Sequence, residues 1–281
     1  MFDAVNDNAD LIVLDDPISS FDSNKKFAVV RRMFDNHQEV TFRDKTVLML
    51  THDLQPIIDY VHGGFFKKYG LTTKVSAEYL ENDRGEIVAH TIETSDLLNI
   101  VKLTENYAQD NNRPLYVRIV NARKHIELTK ENYSEMESYD LLSNLIHGRE
   151  KPKDKSNQLM SQESIEKGLL DLKPLISGYD SYDKLLQEIS IKYLLQELDN
   201  NDNVYFKILA IRLLFERAVG FMTMLRREHP EACKFLNETN HIENDYVFHL
   251  DPEKFYSIPE VYVQEIRDFI NAHKTELFAL S

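Results

Sequence analysis

Two neighbouring carboxylates and a histidine follow two short apolar stretches in the N-terminal part of the chain. Asp15 and Asp16 come directly after the run Leu11–Leu14, and His52 follows the run Val47–Leu50. Magnesium takes oxygen ligands, and a second carboxylate can orient or deprotonate an attacking water molecule. A histidine at the end of the neighbouring strand can reach a terminal phosphate or that water. These residue types at this spacing indicate hydrolysis of a magnesium-bound nucleotide.

A second pattern of reactive residues occurs twice in the C-terminal two thirds of the chain. In each case an arginine and a glutamate four residues apart precede a histidine. The two sets are Arg123, Glu127 and His147, and Arg212, Glu216 and His241. Residues four apart share one face of a helix. Glutamate or histidine would take the proton of an RNA 2′-hydroxyl, the other would protonate the leaving 5′-oxygen, and arginine would stabilise the charge on phosphorus. This pattern predicts a metal-independent ribonuclease site that leaves a 2′,3′-cyclic phosphate.

Each of these patterns also has a structural explanation. Aspartate and proline are common where a strand enters a turn, as at Asp15 to Pro17. An Arg–Glu pair at this spacing is an ordinary surface salt bridge worth about 0.2–0.5 kcal/mol. His147, which precedes Gly148, would also suit the C-terminal end of a helix, where a positive charge is favourable.

The elements that position the first group form a strand–helix–strand unit. Leu11–Leu14 is uniformly apolar, which predicts a strand buried on both faces. A helical pattern over Lys25–Phe34 and a second buried strand, Val47–Leu50, complete the unit. Because such units have parallel strands, the acids and His52 are expected at one edge of a sheet.

The rest of the chain divides into a hairpin and a long helical part. Lys74–Glu81 and Glu86–Ile92 flank a turn that contains glycine, and from Thr94 onwards the apolar residues repeat with a helical period. The expected helices are Ser95–Gln109, Leu115–Glu131, Ser138–Gly148, Ser161–Ile176, Tyr182–Glu197, Val204–His229 and Pro259–His273. The predicted fold is α/β over residues 1–93 followed by a mostly α region over residues 94–281.

Composition restricts the class of protein and its partners. The 281 residues carry 33 basic and 47 acidic side chains, a net charge of −14, which disfavours non-specific wrapping of nucleic acid. Residues 205–234 are an exception, with six basic against three acidic side chains. Cys233 is the one cysteine, so no disulfide framework forms, and no apolar run reaches the length of about 18 residues typical of a membrane span. We expect a soluble, cytoplasmic protein with no membrane partner.

The string from Leu11 to Asp22, Leu-Ile-Val-Leu-Asp-Asp-Pro-Ile-Ser-Ser-Phe-Asp, resembles the Walker B and D-loop segments of ABC-type ATPases, including the SMC and RecN-like branch. His52 in Leu-Thr-His-Asp resembles their switch histidine. The resemblance implies that Asp15 binds Mg²⁺, Asp16 is the catalytic acid and His52 senses the γ-phosphate of ATP. It also implies a D-loop of Ser19, Ser20 and Asp22 that faces a second subunit in an ATP-sandwiched homodimer. Most of these ATPases have glutamate at the position of Asp16.

Half of such a nucleotide site is missing from the sequence. A P-loop has a lysine directly after its last glycine, and none of the eight glycines here is followed by lysine. No signature motif of the LSGGQ type precedes Asp15. The expected fold is therefore a partial P-loop ABC-type sheet, and we expect Met1 to lie inside a longer ATPase. ATP and Mg²⁺ would then bind only together with the missing N-terminal portion.

Asp15-Asp16-Pro17 is the form found in PrrC-like and RloC-like anticodon nucleases, and the chain resembles them also in its Arg-x-x-x-Glu pairs followed by histidine. That family joins an ABC-type ATPase to a helical nuclease module, which implies tRNA as substrate and a role in bacterial defence against phage. The set that ends at His241 fits better, because it lies nearer the C-terminus and has an Asn-x-Thr-x-His stretch. Two alternatives remain: a helical region that only recruits a partner or nuclease subunit, and an SMC-like scaffold on DNA. The absence of a heptad run disfavours the scaffold.

Overall fold

The computed structural model describes residues 9–17, 29, 32–34, 42, 45–57, 75–83, 85–93, 96–218, 220–238, 248–255 and 259–280. The chain divides into two compact units, Met1–Leu97 and Leu98–Ser281, so the division lies close to the boundary expected after residue 93. Within the described parts of the chain, no helix is both long enough and apolar enough to cross a membrane.

The first unit contains two parallel strands, β1 (Leu11–Asp15) and β2 (Thr46–Leu50). Leu11 lies opposite Thr46 and Asp15 lies opposite Leu50, so both strands end at the same edge. A single helical turn, Gln55–Ile57, follows β2. The predicted parallel pairing is confirmed. Of the predicted helix before β2, residues 29 and 32–34 are described and are helical, and the rest of that range lies outside the described residues.

The prediction that both strands are buried on both faces is wrong. Ile12 and Leu14 are buried, but Leu11 and Val13 are each 54% exposed, and Leu48 on β2 is 49% exposed. Successive side chains of a strand point to opposite faces. The uniformly apolar sequence therefore forms one covered face and one apolar face that is open to solvent.

A β-hairpin completes the described part of the first unit, as the turn between the two apolar runs predicts. The strands β3 (Glu78–Asp83) and β4 (Glu86–Thr91) are antiparallel, with Asp83 opposite Glu86. Gly85 in the turn has φ +93°, a conformation that glycine adopts without the steric cost of a Cβ atom.

The second unit consists mainly of helices. They are α1 (Ile100–Gln109), α2 (Leu115–Thr129), α3 (Glu137–Ile146), α4 (Gln162–Leu172), α5 (Tyr182–Glu188), α6 (Ile191–Asn200), α7 (Val204–Arg217), α8 (Phe221–Glu228), α9 (Pro230–Glu238), α10 (Glu260–Ala272) and α11 (Lys274–Leu280). Two short strands, β5 (Leu97–Asn99) and β6 (Phe248–Leu250), pair with each other. The predicted mixed α/β start and helical remainder are confirmed at this level.

The core of the helical unit forms around α2 and α7, which pack against each other. Tyr116 and Ile119 on α2, and Ile211 and Leu214 on α7, are fully buried. Helix α2 also packs against α1 and α3, and α7 against α6 and α10. Helices that are apolar on several sides belong in the interior of a bundle. Because α2 and α7 are held on several sides by other helices, the side chains that they carry have fixed positions.

Several helix boundaries differ from the predictions. The helix expected over Tyr182–Glu197 is interrupted, because the Ser190 hydroxyl accepts the amide of Tyr193 and begins a new helix. The helix expected over Val204–His229 is interrupted where Gly220 takes a left-handed φ of +93°. Helices α9 and α11 were not predicted, and α1 begins at Ile100 rather than Ser95.

Candidate functional site

The ends of β1 and β2 bring Asp16 and His52 into contact. Nδ1 of His52 lies 3.1 Å from Oδ2 of Asp16. The side chain of Asp16 is one-third exposed and that of His52 is largely exposed, so the pair lies at the surface of the first unit. A carboxylate and an imidazole at the carboxyl ends of parallel strands occupy the usual ligand-binding edge of an open α/β sheet.

The backbone turns sharply at Asp16, and the turn is what aims its side chain at His52. Asp16 has φ +45°, while its amide donates to the carbonyl oxygen of Leu50 at 2.7 Å. The Thr51 hydroxyl donates to Oδ1 of Asp16 at 3.5 Å and accepts the amide of Asp53 at 3.0 Å. Sequence reasoning missed Thr51, although its place directly before His52 at a strand end was a usable signal.

The carboxylate of Asp15 has a different environment from that of Asp16. Asp15 is exposed, and its carboxylate has no hydrogen-bond or ion-pair partner among the residues that the structure describes. No cluster of three metal-ligating side chains occurs in the described ranges. Mg²⁺ is commonly held by one or two carboxylates together with phosphate oxygens and water. Asp15 is therefore the described carboxylate that could hold Mg²⁺ at this edge.

The remaining residues of the expected nucleotide site, Ser19, Ser20 and Asp22, lie outside the described residues. Their assignment to a D-loop stays a prediction.

In the helical unit, the first Arg–Glu pair forms a triangle with a tyrosine. Nη2 of Arg123 donates to the hydroxyl of Tyr139 at 2.9 Å, and that hydroxyl donates to Oε1 of Glu127 at 2.9 Å. Nε of Arg123 lies 3.4 Å from the same carboxylate oxygen, an ion-pair distance without hydrogen-bond alignment. Tyr139 on α3 thus ties the two charged side chains of α2 together. No sequence signal identified Tyr139.

The histidine of the first set pairs with the glutamate of the second set. Nδ1 of His147, at the end of α3, lies 3.2 Å from Oε2 of Glu216 on α7. His147 and, to a smaller extent, the positive charge of Arg123 hold the pKa of the Glu216 carboxyl below its ordinary value. Glu216 is therefore ionised at neutral pH, and its carboxylate interacts with the imidazole of His147 and with the charge of Arg123. The sequence assigned these three residues to two separate sites.

A buried arginine fixes the end of α3 beside Glu216. Arg217 is 8% exposed, and its guanidinium donates to the carbonyl oxygens of Leu145, Ile146 and Ile189. Burial lowers the pKa of Arg217 to about 10. Arg217 thus binds the carbonyl oxygens of the two residues before His147. The preceding residue of α7, Glu216, contacts the His147 imidazole.

A cleft of about 340 Å³ in the helical unit adjoins this group. Arg123 and Glu127 line it, together with Ile146, which directly precedes His147, and Lys124. Two basic side chains and one acidic side chain in a cleft of this size suit a small anionic group or part of a nucleic-acid strand.

The second set as written from the sequence is only partly described. Arg212 is half-buried on α7, one helical turn before Glu216, while His241 lies outside the described residues. Whether His241 joins them stays a prediction.

Comparison of this chain with family models, with curated proteins and with solved structures gave no match. The resemblances to ABC-type ATPases and to anticodon nucleases therefore rest on the motifs alone.

Proposed function

We propose that the first unit contributes the Walker B and switch-histidine part of a magnesium–nucleotide site of the ABC type, with the helical unit as its effector. The observation that carries this proposal is the contact of Asp16 with His52 across the ends of two parallel strands. Asp15, next to it and unengaged among the described residues, is the magnesium carboxylate.

Each residue has a separate task in this proposal. Mg²⁺, when bound, neutralises charge on the nucleotide phosphates. The Asp16 carboxylate accepts a proton from water at its exposed edge, and His52 holds that carboxylate in place through Nδ1. The Thr51 hydroxyl supplies a second hydrogen bond to Asp16. A P-loop and a signature motif, which this sequence lacks, must come from another polypeptide segment.

The experiment uses the chain together with the ATPase segment that supplies the P-loop, and it measures binding of Mn²⁺, a spectroscopic substitute for Mg²⁺, by electron paramagnetic resonance in the presence of ATP. Asp15→Asn should weaken Mn²⁺ binding about tenfold or more, since it removes a direct ligand. Asp10→Asn, in an exposed residue before β1, is the matched control and should leave binding unchanged. Equal Mn²⁺ affinity of the wild type and Asp15→Asn would overturn the proposal.

A second candidate function, cleavage of RNA by the helical unit, is favoured by the contact of His147 with Glu216 near Arg123. The described part of this unit has three further pairs of this type, His229 with Glu265 and His273 with both Glu228 and Glu276. In the His147 pair, the charge of Arg123 also acts on the glutamate.

The ionised Glu216 would take the 2′-hydroxyl proton, and the imidazolium form of His147 would protonate the leaving 5′-oxygen. Arg123, fixed by Tyr139, would stabilise the additional negative charge that develops on the phosphate. No metal ion is needed for these steps. The reacting groups would then be Arg123, His147 and Glu216. They replace the set predicted from the sequence, Arg212, Glu216 and His241.

The test incubates the protein with total tRNA and detects 2′,3′-cyclic phosphate ends. His147→Ala should abolish cleavage, whereas His273→Ala, which breaks a histidine–glutamate pair elsewhere in the same unit, should not. Equal cleavage by the wild type and His147→Ala would remove His147 from the mechanism. Absence of any cleavage by the wild-type protein with ATP would favour the recruiting role instead.

A further inference from the structure

A second cleft in the helical unit, of about 520 Å³, lies apart from the residues discussed so far. The loop between α1 and α2 forms one side of it through Asn112 and Pro114, and the start of α2 continues that side. The opposite side is formed by Tyr179 before α5 and by Tyr193 on α6. The volume lies within the range of about 300–1,000 Å³ that is usual for small-molecule sites.

Arg118 on α2 lines this cleft as a buried cation that forms no ion pair among the described residues, although the negative charge of Asp110 acts on it from beyond ion-pair distance. Its side chain is 4% exposed, Nε donates to the carbonyl oxygen of Ala108 at 3.0 Å, and Nη2 has no hydrogen-bond partner. No carboxylate among the described residues forms an ion pair with it. Desolvation lowers the pKa of Arg118. A buried charge is normally paired, because removing it from water is costly.

The N-terminus of α2 faces the same cleft, and no side chain caps it. Among the described residues, no acceptor is found for the backbone amides of Leu115 and Tyr116, while the Pro114 carbonyl accepts the amides of Val117 and Arg118. Unsatisfied amides at the start of a 15-residue helix favour a bound anion, and the helix dipole adds to that preference.

The side chains that line the cleft also determine which class of ligand it can bind. Tyr179 and Tyr193 offer partly exposed aromatic rings, and Asn111, Asn112 and Gln187 offer amide groups. Arg113 is already engaged by Asp110 and Glu253. Glu188 is the acidic residue of the lining, and it accepts a hydrogen bond from the Tyr179 hydroxyl.

We propose that this cleft binds the phosphate group of a nucleotide, held by Arg118 and the first amides of α2, with the attached ring beside the two tyrosines. The nucleotide is either a free mononucleotide or the 5′-phosphorylated end of an RNA strand, since both present the same group. This site is separate from the magnesium-dependent site proposed for the first unit.

The experiment is isothermal titration calorimetry of the full chain in EDTA, so that the magnesium-dependent site does not contribute. Adenosine 5′-monophosphate should bind at least about tenfold more tightly than adenosine, because an ion pair in a buried site contributes more than the neutral contacts. A 5′-phosphorylated dinucleotide that binds more tightly than the mononucleotide identifies an RNA end, and the reverse order identifies a free nucleotide. Equal binding of adenosine and its monophosphate, or no binding of either, would overturn the proposal.

Arg118→Met separates a ligand-binding role from a structural one. It should lower affinity for the monophosphate about tenfold or more, yet change the urea midpoint of unfolding little, because loss of the hydrogen bond to the Ala108 carbonyl is offset by removal of a buried charge. Unchanged affinity would contradict the assignment. If Arg118→Met fails to fold, two other variants supply the same test. Asn112→Asp, at an exposed position, adds a negative charge at the rim and should weaken phosphate binding. Glu188→Gln removes a negative charge from the lining and should strengthen it. Identical affinities of these two variants would also contradict the assignment.

Discussion

Nδ1 of His52 lies 3.1 Å from Oδ2 of Asp16, although 35 residues separate the two positions along the chain. The contact follows from the register of β1 and β2, because Asp15 lies opposite Leu50 and the next residues of both strands leave the sheet together. The contact of a carboxylate with an imidazole at the carboxyl ends of β1 and β2 forms the candidate site of the first unit.

The chain alone should not turn over ATP. Asp15, Asp16 and His52 are present, but no segment of the sequence has the glycine and lysine pattern that holds the phosphates. We expect phosphate release with ATP and Mg²⁺ to equal that of the Asp16→Asn variant. Release by the wild type that Asp16→Asn abolishes would show that the chain forms a complete ATPase site.

Arg217 should be essential for the stability of the helical unit. Arg217→Met would leave the buried carbonyl oxygens of Leu145, Ile146 and Ile189 without their donor, at a cost of about 3 kcal/mol in the free energy of unfolding. Arg226→Met, at an exposed position of α8, is the control and should change that free energy by less than about 0.5 kcal/mol. Urea denaturation measures both, and equal effects of the two variants would contradict this role of Arg217.

Gly148 should tolerate alanine less well than Gly178 does. Both have positive φ, of +66° and +93°, but a Cβ at Gly148 would lie 3.0 Å from Cγ of Arg217, whereas a Cβ at Gly178 would meet nothing within 4 Å. Gly178→Ala should cost about 1 kcal/mol through backbone strain alone. Gly148→Ala should cost about 3 kcal/mol, since overpacking is added. Equal losses in thermal unfolding would show that Arg217 moves aside freely.

His273 should make the stability of the helical unit depend on pH near neutrality. The hydrogen bond that Nε2 of His273 donates to Glu228, and the further negative charge of Glu276, raise the pKa of His273 above its ordinary value of 6.5. Because the folded-state pKa is the higher one, the stabilisation is fully present below pH 6.5 and is lost as the pH rises through the folded-state value. Urea midpoints between pH 6 and pH 9 should fall more steeply for the wild type than for His273→Gln, and parallel curves would contradict this.

The sequence was sufficient for the parts of the fold that depend on local pattern. The parallel pairing of β1 with β2 follows from the strand–helix–strand pattern, because a crossover helix returns the chain to the same edge of the sheet, and the hairpin follows from the turn around Gly85. Gly220 could have indicated the break between α7 and α8, but the helical spacing of the apolar residues continues across it and predicts one helix. The exposed face of Leu11 and Val13 was not predictable, because an apolar run does not show whether a second layer covers it.

The candidate site of the helical unit needed three-dimensional information. His147 and Glu216 lie on helices α3 and α7, which no periodicity relates, and their contact depends on how Arg217 fixes the end of α3. Tyr139 joins Arg123 to Glu127 through its hydroxyl, and a tyrosine at that place has no distinctive spacing. The residue types were therefore found from the sequence, but their grouping was not.

Paramagnetic broadening of amide NMR signals shows whether the ends of β1 and β2 form part of a magnesium–nucleotide site. With Mn²⁺, ATP and the ATPase segment that supplies the P-loop, broadening should concentrate on residues 15–17 and 51–53, and Asp15→Asn should remove it. Broadening that is spread evenly over the chain, or that persists unchanged in Asp15→Asn, would contradict the account.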